Sequence, residues 1–240
     1  MGKEKNKKNI SQPNIILCEG DDTFYFIKGH LEYLQKNEAV FEKFQAFDFG
    51  GNKELPTFLS DDLPVKPGYD NITSIIIIRD SEDNFDSAVQ EVKSALKKAG
   101  LPVPSEPNTI EQDDKIRVAF SLFPSLSNIK QNGTLEDLYI ENLVEVGVNS
   151  VLDDIYAFLD DLKSKGRSFT WPHKTKLHTY FSVTNDYVTM KVGEATEAGA
   201  FDFECAKMNV LKELLKNIAM AKPIFPLAAT SAADEAILKL

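Results

Sequence analysis

The sequence predicts an α/β protein: a mainly parallel sheet flanked by helices, followed by a mostly helical carboxyl-terminal extension. Three observations carry this reading. Two apolar runs each end in a burst of acid, Ile15-Ile16-Leu17-Cys18 before Glu19-Gly20-Asp21-Asp22 and Ile75-Ile76-Ile77-Ile78-Arg79 before Asp80-Ser81-Glu82-Asp83. Strand and helix patterns then alternate up to about residue 145, and beyond it only helical periodicity remains. Strands that are apolar without alternation are buried on both faces, the habit of parallel sheets covered by helices. Such sheets bind ligands beyond the carboxyl ends of their strands, so the two acid clusters are expected to share one crevice.

The elements follow in order. A strand over Asn14 to Cys18 leads into a helix from about Asp22 to Gln35, where Phe24, Ile27, Leu31 and Leu34 recur at helical spacing and Asp21 or Asp22 suits the N-cap. A second strand, Gln45 to Phe49, ends in Gly50-Gly51-Asn52-Lys53 before a short helix around Glu54 to Leu59. Glycines at such a turn let backbone N–H groups approach an anion, and Lys53 adds a point charge. The sequence has no longer Gly-rich loop ending in Lys-Ser or Lys-Thr, which argues against a P-loop ATPase.

After the Pro64 to Gly68 loop, Ile72 to Ile78 is the clearest strand, and Ser87 to Lys98 is a helix stopped by Gly100 and Pro102. Residues 101 to 114 read as a surface excursion, and Arg117 to Phe123 as a fourth strand ended by Pro124. This βαβαβαβ order implies parallel pairing through right-handed crossovers. In the carboxyl third, Val151, Ile155, Phe158, Leu159 and Leu162 mark one amphipathic helix, and Val210, Leu211, Leu214, Leu215 and Ile218 another over Cys205 to Met220. The division is a flexible basic tail at 1–10, a core at 11–145 and a helical extension at 146–240 packed on it.

Composition bounds the function. With 42% apolar residues in 240, a large core is affordable, and a net charge of −10 argues against a surface that grips nucleic acid everywhere. Two distant cysteines suggest neither a disulfide framework nor a zinc cluster, which fits a reducing cytoplasm. The Lys- and Asn-rich start has no apolar leader pattern, and no window approaches the roughly 18 apolar residues that span a bilayer.

Crowded carboxylates repel one another unless a cation sits among them, and hard oxygen ligands suit Mg2+ or Mn2+. Glu19, on the last strand position before a glycine, is placed for proton transfer or metal binding, with Asp22 beside it. In an extended segment Asp80 and Glu82 point the same way and can reach one cation, while Asp83 points elsewhere or caps the next helix. Glu136 and Asp137 are further acids, although Gly133-Thr134-Leu135-Glu136 also reads as an ordinary helix start. Leu162 to Asn185 contains no Asp or Glu but carries Lys163, Lys165, Arg167, Lys174 and Lys176 among Phe169, Trp171, Tyr180 and Phe181. Such a run can hold phosphates and stack unpaired bases, or it can be a basic surface loop joined to core aromatics.

The segments Ile16-Leu17-Cys18-Glu19-Gly20 with Asp22, Ile75 to Asp80 with Glu82, and Gly133-Thr134-Leu135-Glu136-Asp137-Leu138 resemble the Toprim superfamily. More narrowly they look like a Toprim-related family allied to the OLD-type nucleases, over residues 14 to 142 with weaker echoes around Lys174 to Phe181. The resemblance implies a Rossmann-like core in which Glu19 is the general acid or base and Asp80 the first metal-binding aspartate. Two positions depart from that pattern: Glu82 stands where Asp is usual, and Asp21 where a Lys is often found.

The leading expectation is an enzyme for Mg2+- or Mn2+-dependent phosphoryl transfer on DNA or RNA, most simply a phosphodiester-cleaving nuclease. Glu19 and Asp80 would be catalytic, Glu19, Asp22, Asp80, Glu82, Glu136 and Asp137 would ligate metal, and Lys53, Arg167, Lys174, Lys176 and Trp171 would hold phosphate or base. Two cations about 4 Å apart would stabilise attacking and leaving oxygens together. A homodimer or a partner protein could complete the groove. A catalytically silent Toprim-like module is the alternative that Glu82 favours. A receiver-like phosphoacceptor is a third, with Asp21, Asp22 and Asp80 in place and Ser121 or Ser125 for its hydroxyl, but without a Lys-Pro at a strand end.

Overall fold

The computed structural model describes residues 9–222. Its centre is a five-stranded sheet in the order β2-β1-β3-β5-β4, built from β1 (Asn14–Glu19), β2 (Phe44–Gly50), β3 (Ser74–Asp80), β4 (Glu111–Gln112) and β5 (Arg117–Phe123). β2, β1, β3 and β5 are parallel, and β4 is antiparallel to β5. This is the expected α/β core with a mainly parallel, helix-flanked sheet. The two-residue β4 lies inside the stretch expected to be irregular; its exposed Glu and Gln give no apolar signal.

The helices are α1 (Gly20–Asn37), α2 (Leu55–Thr57, continued by a π-turn over Phe58–Asp62), α3 (Phe85–Lys98) and α4 (Leu135–Glu145), then α5 (Asn149–Ser164), α6 (Pro172–Val183), α7 (Val192–Glu197) and α8 (Ala206–Met220). Strand alternation divides the core in two. Ile15 and Leu17 of β1, Ile75 and Ile77 of β3, and Val118, Phe120 and Leu122 of β5 pack under α2 and α3. Ile16, Cys18, Ile76, Ile78, Ala119 and Phe123 face α1 and the helices from α4 to α8. The helical extension therefore completes one layer of a single three-layer structure.

Several local expectations are corrected. Asp21 and Asp22 do not cap α1, which begins at once after Glu19 with Gly20 at φ 75°. Asn84, not Asp83, caps α3, its Oδ1 accepting the Ser87 N–H at 2.9 Å. In α5 the buried residues are Leu152, Ile155 and Leu159, while Val151 and Phe158 face solvent; Val210 of α8 is likewise exposed. Residues 1–8 of the expected tail and 223–240 of the expected extension lie outside the described residues. Ile10, placed in that tail, is buried and donates its N–H to the Pro67 carbonyl at 2.9 Å. Among the described residues no helix is long and apolar enough to cross a membrane.

Candidate functional site

β1 and β3 are neighbours whose connections run to opposite sides of the sheet, so the gap beyond their carboxyl ends is a topological switch point. Glu19 ends β1 and Asp80 ends β3, which brings the two acid clusters to one edge as expected. The pleat then separates them. Glu19 continues the Ile15 and Leu17 face, toward α3, and Asp80 continues the Ile76 and Ile78 face, toward α4.

On the α3 side, the Glu19 carboxylate accepts the Asp80 N–H at 3.3 Å and the backbone N–H of Asn52, and its Oε2 lies 3.3 Å from Arg79 Nε. The glycine turn expected to hold an anion thus donates to a carboxylate of the chain itself. Arg79 is only 1% exposed, and its Nη1 reaches Glu91 Oε2 of α3 at 2.8 Å. Burial raises the Glu19 carboxyl above its usual range, against the opposing pull of Arg79 and the two backbone donors. An acid held somewhat above the ordinary range is suited to trading a proton.

On the α4 side, Asp80 Oδ1 accepts the Leu135 N–H at 2.9 Å, so the first turn of α4 points at it. Burial, then the charges of Glu136, Glu19 and Glu82, drive the Asp80 carboxyl well above the usual aspartate range; the Leu135 donor only partly opposes them. Glu136 is buried and salt-bridged to Lys174 of α6. Burial alone would raise the Glu136 carboxyl, yet Lys174 and nearby donors hold it low. For Lys174 burial favours the neutral amine, but Glu136, Asp22 and Asp80 together raise its pKa, fixing a positive charge beside Asp80.

The other expected ligands are placed differently. Glu82 sits at φ 53°, not in extended backbone, and exchanges both backbone hydrogen bonds with Gly133, at 2.9 and 2.8 Å; its charge still acts on Glu19 and Asp80. Asp137 closes a capping box with Thr134, whose N–H it accepts at 2.9 Å. Asp22 accepts the Gly193 N–H at 3.1 Å at the start of α7. Among the described residues no three His, Cys, Asp or Glu side chains stand together as a group that could hold a metal ion. The division of Glu19 and Asp80 between two faces, and the engagement of Glu136 and Asp137, account for this.

The acid-free run is also largely occupied. Lys163 and Lys165 pair with Asp160 and Asp161 of α5, Lys174 turns inward, and Lys176 lies over the Tyr156 ring at 5.3 Å. Arg167 and Trp171 remain exposed near the start of α6, and Lys53 is exposed across the sheet beside α3. Ser121 is buried and bonded to Asn108, and the sheet has no fifth parallel strand among the described residues, so nothing here favours a receiver.

A family model described as "Protein of unknown function (DUF3226)" matches residues 13–220, a span that takes in every strand and helix above. The chain belongs to the DUF3226 family. No curated protein and no solved structure matches this DUF3226 chain. Arg79 and Glu91 are not among the residues that the sequence singles out in this DUF3226 chain. A signal for Arg79 was present: a guanidinium closing an all-isoleucine strand must find carboxylate partners.

Proposed function

We propose that the chain carries out metal-dependent phosphoryl transfer on nucleic acid, most simply phosphodiester hydrolysis of the Toprim kind. The observation that carries this reading is Asp80, a largely desolvated carboxylate at the switch point on which three further carboxylates act. Such an excess of negative charge is the signature of a cation site or of an acid kept protonated for chemistry. The donors suit Mg2+ or Mn2+ in kind; Asp80 would hold the ion, with the charges of Glu136, Glu19 and Glu82 in its field.

When bound, the ion supplies charge neutralisation at the scissile phosphate. The residues of the chain do the rest. Glu19, raised by burial, exchanges a proton with the attacking or leaving oxygen. Lys174 keeps a second positive charge beside Asp80 without a second metal, since it already pairs with Glu136. The exposed Arg167 and Trp171 offer a phosphate contact and a stacking face.

Single- and double-stranded DNA and RNA incubated with Mg2+ or Mn2+ test this. Cleavage should appear with metal, vanish in EDTA, and fall at least about 100-fold in Glu19→Gln and Asp80→Asn, the scale of losing an acid–base group or a charge-stabilising contact. Metal-dependent cleavage unaffected by either substitution, or none on any substrate, rejects the reading. The absence of a closed carboxylate group among the described residues favours one alternative, a silent Toprim-like binding module. Manganese titration separates the two, because a silent module need not bind the ion.

A further inference from the structure

Two cavities adjoin on the α3 side of the sheet. One of about 520 Å3 lies between the Asn52–Pro56 turn and α3, and the other, of about 160 Å3, continues from it past Ser81 to Glu82 and Asn84. Asn52, Arg79, Ser87 and Glu91 line both. The floor is the Arg79 guanidinium, nearly fully buried, and the outer rim carries Lys53 and Lys98. Neither lysine makes an ion pair among the described residues. The volume is in the range of small-molecule sites.

Arg79 is satisfied unequally. Nε donates to the Asp80 carbonyl at 3.2 Å with the near-buried Glu19 carboxylate 3.3 Å away, whereas Nη1 is held by Glu91, a half-exposed carboxylate on the open side of the cavity, steadied by the Ser87 hydroxyl at 3.2 Å. An exposed carboxylate on a buried guanidinium occupies the position an incoming phosphate would take, because both present paired oxygens to the same donors. Glu91 is itself half exposed and can turn to solvent, provided the phosphate takes its place, because the buried guanidinium cannot be left without an anionic partner.

We propose that this groove binds the phosphate of a nucleotide, with Arg79 as its anchor, Lys53 and Lys98 as flanking charges, and Glu91 as a built-in competitor that the phosphate displaces. The proposal rests on the phosphoryl-transfer reading only for its context: the second cavity runs toward Glu82, so the groove would hold the nucleotide next to the one at Asp80. The same chemistry serves a free mononucleotide or one phosphate of a strand, and the two are distinguished below.

The test is calorimetric titration of the full chain with AMP and, separately, with the oligonucleotide dT10, all in EDTA so that cleavage plays no part. Glu91→Gln should tighten binding about fivefold, because a competitor that occupies the site reduces apparent affinity by the fraction of time it is absent. Lys53→Ala/Lys98→Ala should weaken it about tenfold. Tightening by Glu91→Gln for AMP alone assigns a free nucleotide; tightening for dT10 assigns a strand phosphate. Unchanged or weaker binding in Glu91→Gln, or indifference to the two lysines, overturns the proposal. No cleavage by the parent chain with Mg2+ or Mn2+, together with retained AMP binding, would reject the nuclease reading and leave the groove standing.

Discussion

Asp80 shows how one buried carboxylate can be costly to the fold. Its pKa is raised, so the folded chain holds that proton more tightly than the unfolded chain does. The sign follows: the stability this group contributes is complete below the ordinary aspartate range and is lost as pH rises through the raised folded value. Asp80→Asn keeps an oxygen for the Leu135 N–H and removes the charge. In EDTA the variant should melt about 2–4 °C above the parent at pH 8, the shift one kcal/mol produces in a chain of this size, and the gain should shrink toward zero at pH 4. Differential scanning calorimetry across that range reads it. A variant that is less stable at pH 8 would show that Asp80 is not under like-charge stress. Removal of a strained functional charge commonly stabilises a protein while abolishing its activity.

At the scale of the element, α5 separates pattern from packing. Val151, Ile155, Phe158, Leu159 and Leu162 make a persuasive stripe in the sequence, but the helix is rotated so that Leu152, Ile155 and Leu159 enter the core. Leu152→Ala should cost about 2–5 kcal/mol, the usual effect of a core truncation. Phe158→Ala should fall within about 0.5 kcal/mol of the parent, as surface changes do. Urea denaturation of the pair checks the rotation, and equal losses would contradict it. The same contrast explains what was legible. β1, β3, β5, α1, α3 and α8 could be read because burial on both faces, or along one stripe, leaves a strong hydropathy signal. β4 and the orientation of α5 could not, because one has no apolar residue and the other depends on which neighbours it meets. In the site, Glu19 and Asp80 were legible as strand-end acids. The roles of Glu91, Gly193 and Lys174 were not, since each contributes through partners far away in sequence.

For the whole molecule, the helical third is a load sharer rather than an appendage. α6 pairs with the first turn of α4 through Lys174 and Glu136, α7 receives Asp22, and Lys212 and Lys216 of α8 both clasp Glu38 at 3.0 and 2.8 Å. Leu177, Val192, Leu211 and Leu215 are buried against the same sheet face as Ile16 and Ile78. A chain ending at residue 145 should therefore lose cooperative unfolding and bind a hydrophobic dye, because much of that face would meet water. A sharp two-state melt from the shortened chain would instead establish residues 11–145 as an independent domain.

Arg79 and Asp80 are covalent neighbours that serve opposite faces of one strand, the guanidinium toward α3 and the carboxylate toward α4. The end of β3 thus works as a ruler whose unit is a single peptide. Under the readings proposed above, a phosphate on Arg79 would sit one peptide away along the backbone from an ion on Asp80, with no loop between the two residues. Inserting or deleting one residue in β3 ahead of Arg79 would exchange the two sides, sending the acid to α3 and the base to α4 while leaving the composition of the strand almost unchanged.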